Sequence, residues 1–420
     1  MPILLPGSPI PITLADSGAV SPFGRLNVNN ATSIFNSQQQ YGDDPTVWET
    51  QTAGTGVMSF LPNESTILMS TGGTGATASI IRQTRIYHRY TPGHGSTAIM
   101  TFCFTGGPTF TNNSRRVGYY DAGNGVYLEC AGTTVSLCQR TSVSGSVSDA
   151  NKISQASWNV DTFGAGTLNP SGITINWADT QIMIIDLQWL GVGRVRIGFD
   201  IGGVFYPAHY FENANALPTV YMTTANLPVR YENFNTGVSS GTSTLRHICS
   251  QVMTDGGVSS FYGKQYSYNN GGSGLAITSG ATAPVISLQA ATTGPNGVRN
   301  TGQIIAASYT IQITGLNNIF WQLMLNPTTL TGASFASYGT SSIANVDHSA
   351  TVASGGMILD SGYLFANAGS KGTIVQNADI KTLVLVYSGL LNHQDVMTLL
   401  CTAEGGGSTV FCSFNWLEIW

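Results

Sequence analysis

Apolar residues alternate with Ser, Thr, Asn, Gln or Gly along much of this chain. The segment 309–314 reads YTIQIT, and the segment 194–199 reads RVRIGF. Successive side chains of a β-strand point to opposite faces, so a period of two places the apolar residues on one face and the polar residues on the other. The sequence offers no comparable stretch with the apolar spacing of a long amphipathic helix. We therefore predict an all-β protein.

Two series of short strand-like segments, separated by turn residues, predict two antiparallel β-sandwich domains that are jelly-roll-like. The first domain is predicted over residues 41–232 and the second over 233–420, which begins with a linker-like segment, 233–242, rich in Asn, Gly, Ser and Thr. Residues 1–40 have few strand signals and predict an extended N-terminal arm; a partly ordered terminus is the alternative. Residues 414–420 alternate aromatic and polar, which predicts an ordered C-terminal strand.

Two local patterns within the first domain are more specific. Residues 120–127 read YDAGNGVY, in which Asn and Gly can adopt the positive φ of a tight turn, and they predict a β-hairpin. Residues 181–189 are almost continuously apolar, which predicts a central strand covered on both faces.

The composition indicates an unusual surface. Of the 420 residues, 9% are charged, against about 25% in an average soluble domain. Apolar residues make up 42% of the chain, which argues against disorder. A surface of hydroxyls, amides and glycine favours a rigid particle or a glycan-facing shell over a soluble cytosolic enzyme.

Charge and apolar runs also restrict the partners. The net charge of −5 argues against nucleic-acid binding, which needs clustered Lys and Arg. Residues 1–6 lack the pattern of a secretion signal, and no run reaches the roughly 18 apolar residues of a membrane span. We therefore expect synthesis in the cytoplasm of the cell that makes the protein, and no membrane partner. Two local basic groups are expected to form ion pairs on solvated strand faces, with a phosphate or sugar-acid site as the alternative: Arg82, Arg85, His88 and Arg89, and then Arg115 with Arg116.

Metal and cofactor sites are not expected. The cysteines lack the spacing of a zinc site and are expected to be small buried hydrophobes, with Cys130 and Cys138 facing each other as free thiols across a hairpin. The glycine-rich run 72–75 lacks the Lys of a phosphate loop. The six cysteines are Cys103, Cys130, Cys138, Cys249, Cys401 and Cys412.

Catalysis is not expected either. Glycoside hydrolysis needs two carboxylates in one cleft, and the sequence offers few candidates: Glu129, Asp179, Asp186 and Asp200. Asp186 lies in an apolar strand, where we expect it to pair with Arg194 or Arg196. Asp347 and His348 are adjacent, but neighbouring residues of a strand point to opposite faces. No catalytic, cofactor or metal residue is therefore assigned.

Glycan binding without cleavage is the stronger functional alternative. Aromatic side chains can stack on sugar rings while amides bind the hydroxyls, and the sequence supplies several tryptophans for this, among them Trp48, Trp158, Trp177 and Trp189. Strand positions make core packing the better interpretation for most of them, Trp189 and Trp321 especially. The sequence alone therefore assigns no glycan site.

A set of short motifs follows one order from about residue 22 to the end. In this order the motifs resemble a family of virion structural proteins of tailed bacteriophages, known from phages of cyanobacteria and other aquatic bacteria. The chain lacks the long insertion that some relatives carry between Arg140 and Trp158, so contacts made by that loop are not expected. The motifs are FLPNES (60–65), IRQTR (81–85), RVGYYDAGNGV (116–126), SWNVD (157–161), WLGVGRVRIGF (189–199), NLPVRYE (226–232), LNP (325–327), LTGASF (330–335) and NWLEI (415–419).

The resemblance implies a structural component of a tailed-phage virion, most readily of its tail, neck or baseplate, without a catalytic centre. The expected partners are other virion proteins and further copies of this chain, with a trimer favoured among the closed symmetries. The alternatives are a head-surface decoration protein and a receptor- or glycan-binding appendage protein that contacts host surface glycans. The appendage alternative predicts an exposed aromatic cluster on loops of the second domain.

Overall fold

The computed structural model describes residues 31–255, 263–366, 373–376 and 384–420. Over these residues the structure consists of β-strands, loops and two short 3-10 turns, Gln155–Ser157 and Pro295–Gly297, with no α-helix. The predicted all-β fold is confirmed. Within the same ranges, no helix has the length and apolar composition that crossing a membrane requires.

The chain forms two compact units, of which the first contains strands β1 to β15. They are β1 (Thr32–Gln38), β2 (Trp48–Ala53), β3 (Val57–Leu61), β4 (Thr66–Ser70), β5 (Ser79–Thr84), β6 (Ser96–Thr105), β7 (Phe110–Tyr120), β8 (Gly125–Gly132), β9 (Thr134–Thr141), β10 (Ser148–Ser154), β11 (Gln181–Leu187), β12 (Val195–Ile201), β13 (Val204–Phe211), β14 (Val229–Asn235) and β15 (Thr244–Thr254).

These strands form a sandwich of two antiparallel sheets. The eight-stranded sheet has the order β13-β12-β11-β6-β15-β4-β3, with β1 also paired to β15. The seven-stranded sheet has the order β10-β9-β8-β7-β14-β5-β2. Apolar side chains from both sheets meet in one core, for example Phe102 of β6 and Leu128 of β8.

The second unit contains strands β16 to β31 and the short segment Arg85–Tyr87. The strands are β16 (Lys264–Asn269), β17 (Leu275–Ile277), β18 (Thr282–Ala290), β19 (Gln303–Thr314), β20 (Asn318–Leu325), β21 (Thr329–Thr331), β22 (Ala336–Ser337), β23 (Ala344–Asp347), β24 (Val352–Ser354), β25 (Met357–Leu364), β26 (Thr373–Gln376), β27 (Val384–Leu385), β28 (Tyr387–Ser388), β29 (His393–Gln394), β30 (Val396–Glu404) and β31 (Ser408–Ile419).

This unit is also a sandwich. One sheet has the order β16-β31-β19-β26, with β17 on β31 and β27 on β19, and the other has the order β22-β23-β18-β30-β20-β25. Two further two-stranded sheets are β21-β24 and β28-β29. The core lies between the two large sheets and includes Trp416 of β31 and Trp321 of β20. The predicted C-terminal strand is confirmed, because β31 pairs with β19 along its length.

The hairpin predicted at residues 120–127 is confirmed. Strands β7 and β8 pair from Tyr120 and Gly125 onward. The carboxylate of Asp121 accepts backbone hydrogen bonds from Gly123 at 2.7 Å and Asn124 at 2.8 Å, which closes the turn. Gly125 adopts φ +129°, and an added Cβ there would lie 2.3 Å from Tyr120, so only glycine fits.

The central strand predicted at 181–189 is present as β11, between β6 and β12. Its predicted coverage on both faces is wrong. Met183 and Ile185 are buried in the core, but Ile182 is 38% exposed and Ile184 is half-buried on the other face. The apolar run therefore indicates correctly that the strand lies inside the sheet. It does not indicate that both faces of the strand are covered.

The division between the units falls after β15, whereas the sequence placed it at residues 232 and 233. The segment read as a linker instead connects β14 and β15, which belong to opposite sheets of the first sandwich. Its polar composition has a structural role, because the buried Asn233 amide donates to the carbonyls of Met69 at 2.9 Å and Ser243 at 3.1 Å.

The predicted N-terminal arm falls mostly on residues 1–30, which lie outside the described residues. Of its described part, Thr32–Gln38 forms β1 and pairs antiparallel with β15, with a bulge between Ser33 and Phe35. This segment is thus a strand of the eight-stranded sheet.

Candidate functional site: an exposed aromatic surface on the second unit

The four acidic residues proposed for glycoside hydrolysis do not form one cleft. Glu129 lies on β8 of the seven-stranded sheet, whereas Asp186 and Asp200 lie on β11 and β12 of the other sheet. Asp179 lies in the loop before β11, where it accepts a hydrogen bond from Asn176. Asp200 accepts one from the backbone of Gly203 at the β12–β13 turn.

Asp186 forms the ion pair expected from the sequence. Its partner is Arg196 on β12, at 2.6 Å, whereas Arg194 pairs with Glu212 at 3.8 Å. Burial raises the pKa of Asp186 to about 6, although Arg196 acts in the opposite direction. The arrangement is that of a buried carboxylate retained because it is paired.

Glu129 lies beside a second glutamate that the sequence analysis did not single out, Glu232 on β14. Arg116 contacts both carboxylates, at 2.7 Å from Glu129 and 3.4 Å from Glu232, and Lys152 also contacts Glu129. Burial opposes ionisation of Glu129, but these cations and Ser114 together hold its pKa below the usual value. A general acid for glycoside hydrolysis needs the reverse shift, so this charged row favours stabilisation of the sheet over catalysis.

The two basic groups form ion pairs at Arg82, Arg85 and Arg116, as expected, but part of each group is buried and not on a solvated strand face. Arg82 and Arg115 are both buried. Arg82 forms the expected ion pair, with Asp43, and also donates to His247. Arg115 instead donates to backbone carbonyl groups, among them that of Thr105 at 2.8 Å. Because both side chains are buried, neither guanidinium is presented to an anionic ligand on the surface.

The remaining chemical candidates also have structural partners. Asp347 accepts from the backbones of Ser334, Ser349 and Ala350, and His348 contacts the Tyr268 hydroxyl, so the two neighbours form no acid–imidazole pair. Five of the six cysteines are buried as expected, but Cys249 is exposed. Among the described residues, no three His, Cys, Asp or Glu side chains are grouped so that they could hold a metal ion.

The tryptophans weighed as glycan contacts lie mostly in the cores. Trp48, Trp158 and Trp177 are buried in the first unit, and Trp189 packs half-buried against the same core. Trp321 is buried in the core of the second unit, as expected. The four buried indoles, Trp48, Trp158, Trp177 and Trp321, present no open ring face.

Three other aromatic residues form an exposed row on the second unit, which we call the aromatic strip: Phe320, Tyr363 and Phe365. The ring centroids of Phe320 and Tyr363 are 4.9 Å apart, and those of Tyr363 and Phe365 are 6.3 Å apart with nearly parallel planes. Tyr363 is 50% exposed and Phe365 is 72% exposed. Adjoining exposed rings of this kind make the strip a candidate interaction surface.

Strand alternation places the strip on the outer face of the sheet. Ile319 and Trp321 of β20 point into the core, so Phe320 between them points outward. Leu364 of β25 is buried, so Tyr363 and Phe365 on either side of it also point outward. Phe320 and Tyr363 are direct cross-strand neighbours, which brings their rings together.

Polar groups flank the strip on the same face. Gln322 lies opposite Ser361, one pleat along the pair that holds the rings. Thr402 of β30 lies opposite Phe320, and its hydroxyl shares a hydrogen bond of 2.7 Å with Thr282. Flat rings bordered by an amide and hydroxyls can stack on the apolar face of a sugar and hydrogen-bond its edge.

The sequence contains one signal for this strip, at Phe320. The segment 319–325 reads IFWQLML, and its alternation places Phe320 and Trp321 on opposite faces. Two large rings side by side in a strand therefore imply that one is outside the core.

Comparisons with known proteins identify no family. No protein-family model and no curated protein matches the chain. The solved structures that resemble it each cover about half of it. They include the cellulose-induced protein Cip1 (12% identity, 52% of this chain and 96% of that one, TM-score 0.33), an endo-1,3-β-glucanase from Streptomyces sioyaensis (12%, 53% and 96%, 0.37) and the exoplasmic/lumenal domain of VIP36 bound to Ca²⁺ and Man3GlcNAc (7%, 56% and 93%, 0.31). TM-scores of this size support no inference about ligand or activity.

Proposed function

We propose that this chain is a non-catalytic carbohydrate-binding protein that contacts polysaccharide through the aromatic strip. The observation that carries the proposal is the exposure of Tyr363 and Phe365 as a nearly parallel pair continuous with Phe320. The appendage alternative drawn from the sequence expects an exposed aromatic cluster on loops of the second domain. The strip lies in that domain, but on strands β20 and β25 and the residue after β25.

The setting we propose for this binding is the surface of a tailed-phage particle, where the chain acts as a receptor-binding appendage and assembles with copies of itself. The ordered motifs between residues 22 and 420 and the low content of charged residues, 9%, support this setting. Immunogold labelling of the particle with antibody against the purified chain tests it. Labelled tails, necks or baseplates are expected, and particles without the chain contradict the proposal.

A glycan array probed with the purified full chain tests the binding site. The change to make is Tyr363→Ala or Phe365→Ala. Each removes one stacking ring worth roughly 1 kcal/mol, so the affinity of each variant should be about fivefold lower. Tyr41→Ala is the matched control, because it removes a 91% exposed aromatic side chain from the first unit. Glycan binding that survives both strip variants, or no binding by the wild type, contradicts the proposal.

An assay for cleavage tests the non-catalytic part separately. The purified chain is incubated with host envelope polysaccharide, and reducing ends are measured over time. We expect no release of product. Release that disappears in Glu129→Gln would instead identify the charged row around Arg116 as a catalytic site.

A further inference from the structure

We infer that the second unit carries a second saccharide site, on the sheet opposite the aromatic strip, and that this site takes an uncharged sugar. The site is a groove of about 530 Å³, within the size range of small-molecule pockets. It is lined by Asn269, Asn270, Gly271, Gly272, Thr310, Gln312, Phe411, Cys412 and Ser413. The inference rests on the proposed function for carbohydrate as the class of ligand.

Strand alternation builds the floor of this groove. Val410, Cys412 and Phe414 of β31 point into the core, so Phe411 and Ser413 point outward and are half-buried. On the neighbouring strand β19, Thr310 and Gln312 point outward for the same reason. The floor is therefore the outer face of the sheet that contains β19 and β31.

The floor combines one ring with the amide of Gln312. Gln312 lies directly opposite Phe411, and Thr310 lies opposite Ser413, with which it shares a hydrogen bond. The carboxamide of Gln312 makes no hydrogen bond to any described residue. An aromatic ring next to an amide donor and acceptor is the pairing that a sugar requires: the ring for its apolar face and the amide for its hydroxyls.

The rim of the groove is held in place without a ligand. The side chain of Asn270 is buried, donates to the carbonyl of Val410 at 3.0 Å and accepts from the backbone of Cys412 at 2.9 Å. Asn269 accepts from the backbone of Gly271 at 3.0 Å, which closes the turn. A site organised in advance loses less entropy when a ligand binds.

The two glycines of the rim keep the groove open. An added Cβ at Gly271 or Gly272 would meet no atom within 4 Å, so these positions border open space. Gly271 also adopts φ +83°, a conformation that other residues rarely take.

The chemistry of the lining selects an uncharged ligand. All nine lining residues, each within the described part of the chain, are uncharged: amides, hydroxyls, glycines, one phenyl ring and Cys412, whose side chain points into the core. A sugar carboxylate or amine would lose hydration here without gaining a counter-ion. We therefore expect neutral hexose or N-acetylhexosamine units at this site.

The test uses monovalent probes and the full chain. Isothermal calorimetry is carried out with neutral trisaccharides of glucose, galactose, mannose and N-acetylglucosamine, and with sialyllactose as the charged comparison. The double variant Y363A/F365A removes the strip and leaves the groove intact. We expect this variant to bind at least one neutral trisaccharide with wild-type affinity and to bind sialyllactose at least tenfold more weakly than that trisaccharide.

Substitutions in the groove of the double variant complete the test. Phe411→Ala should weaken the remaining binding about tenfold. Gln312→Ala should do the same, and it removes only an outward-pointing amide, so the core is unchanged. This second variant keeps the test valid if the Phe411 variant does not fold. Unchanged binding in Gln312→Ala overturns the inference, as does a double variant that binds none of the neutral trisaccharides. If the strip variants bind polysaccharide on the array as the wild type does, while the groove still binds a trisaccharide, only the proposed role of the strip is overturned. The two failures are therefore distinguishable.

Discussion

The Nε–H of Arg82 donates a hydrogen bond to Nδ1 of His247, 3.2 Å away, inside the first unit. The imidazole lies 4.1 Å from the Tyr231 ring, centroid to centroid, and its Nε2 is 3.2 Å from the Ser250 hydroxyl. Because Nδ1 accepts a hydrogen bond from a cation, the ring is neutral in the folded protein. Burial, with the charge of Arg82, lowers the pKa of His247 well below its ordinary value.

The free energy of unfolding should therefore fall in acid. Burial also lowers the pKa of His88 to about 3 and of His209 to about 4. In the unfolded chain each histidine binds a proton below about pH 6.5, so the unfolded state binds more protons there. The stability that these three residues contribute is fully present above about pH 6.5 and is lost as the pH falls through their folded pKa values.

His247→Gln isolates one of these contributions. Between pH 5.5 and 4.5, the slope of unfolding free energy against pH should be smaller than in the wild type by about 1.4 kcal/mol per pH unit. The measurement is urea unfolding followed by tryptophan fluorescence at several pH values. His348→Gln, which removes an exposed imidazole from the second unit, is the substitution control. A His247→Gln slope equal to that of the wild type would show that the imidazole titrates in the folded state.

Removal of Arg116 should destabilise the first unit more than removal of an exposed arginine. Arg116→Met leaves Glu129 and Glu232 without their shared guanidinium; both carboxylates are nearly buried, and the cost should be about 3 kcal/mol. Arg246→Met is the control, because its ion pair with Glu64 is partly exposed and should contribute less than about 1 kcal/mol. Equal losses in the two variants, measured by urea unfolding, would mean that the charged row adds no stability beyond an ordinary surface pair.

Gly362 sets the position of the aromatic strip. An added Cβ there would lie 2.7 Å from the ring of Trp321, which is buried in the core and has no room to move. Gly362→Ala should therefore displace β25, destabilise the second unit by about 2 kcal/mol and weaken polysaccharide binding through the strip. Gly339→Ala is the matched control, since its added Cβ meets nothing within 4 Å. Thermal unfolding and the glycan array measure the two effects, and wild-type values for Gly362→Ala on both would refute the argument.

The local sequence pattern was sufficient to predict the strands and the tight turn at Asp121. The period of two in β19 and β31 reflects side chains that point alternately to opposite faces, a property of the backbone that each segment carries by itself. The turn between β7 and β8 depends on residues within four positions of one another. The phage family and its symmetry remain predictions, because nothing in the geometry tests them.

The boundary between the units was not evident from local pattern. Asn233 looks like a linker residue in sequence, but its amide is buried. It donates to the backbone carbonyl of Met69, far away in the chain, and to that of Ser243, ten residues later. Composition records that a residue is polar. It does not record whether a buried partner satisfies that polarity, and the partner Met69 is far away in the chain.

The aromatic strip shows the same division between sequence and tertiary structure. Alternation determined that Phe320 and Trp321 lie on opposite faces of β20, but not which face meets another sheet. Packing of β19 and β31 against β20 decided that Trp321 is buried and that Phe320 joins Tyr363 and Phe365 outside. A strand's two faces are set by its own backbone, whereas burial of one of them depends on elements that lie far away along the chain.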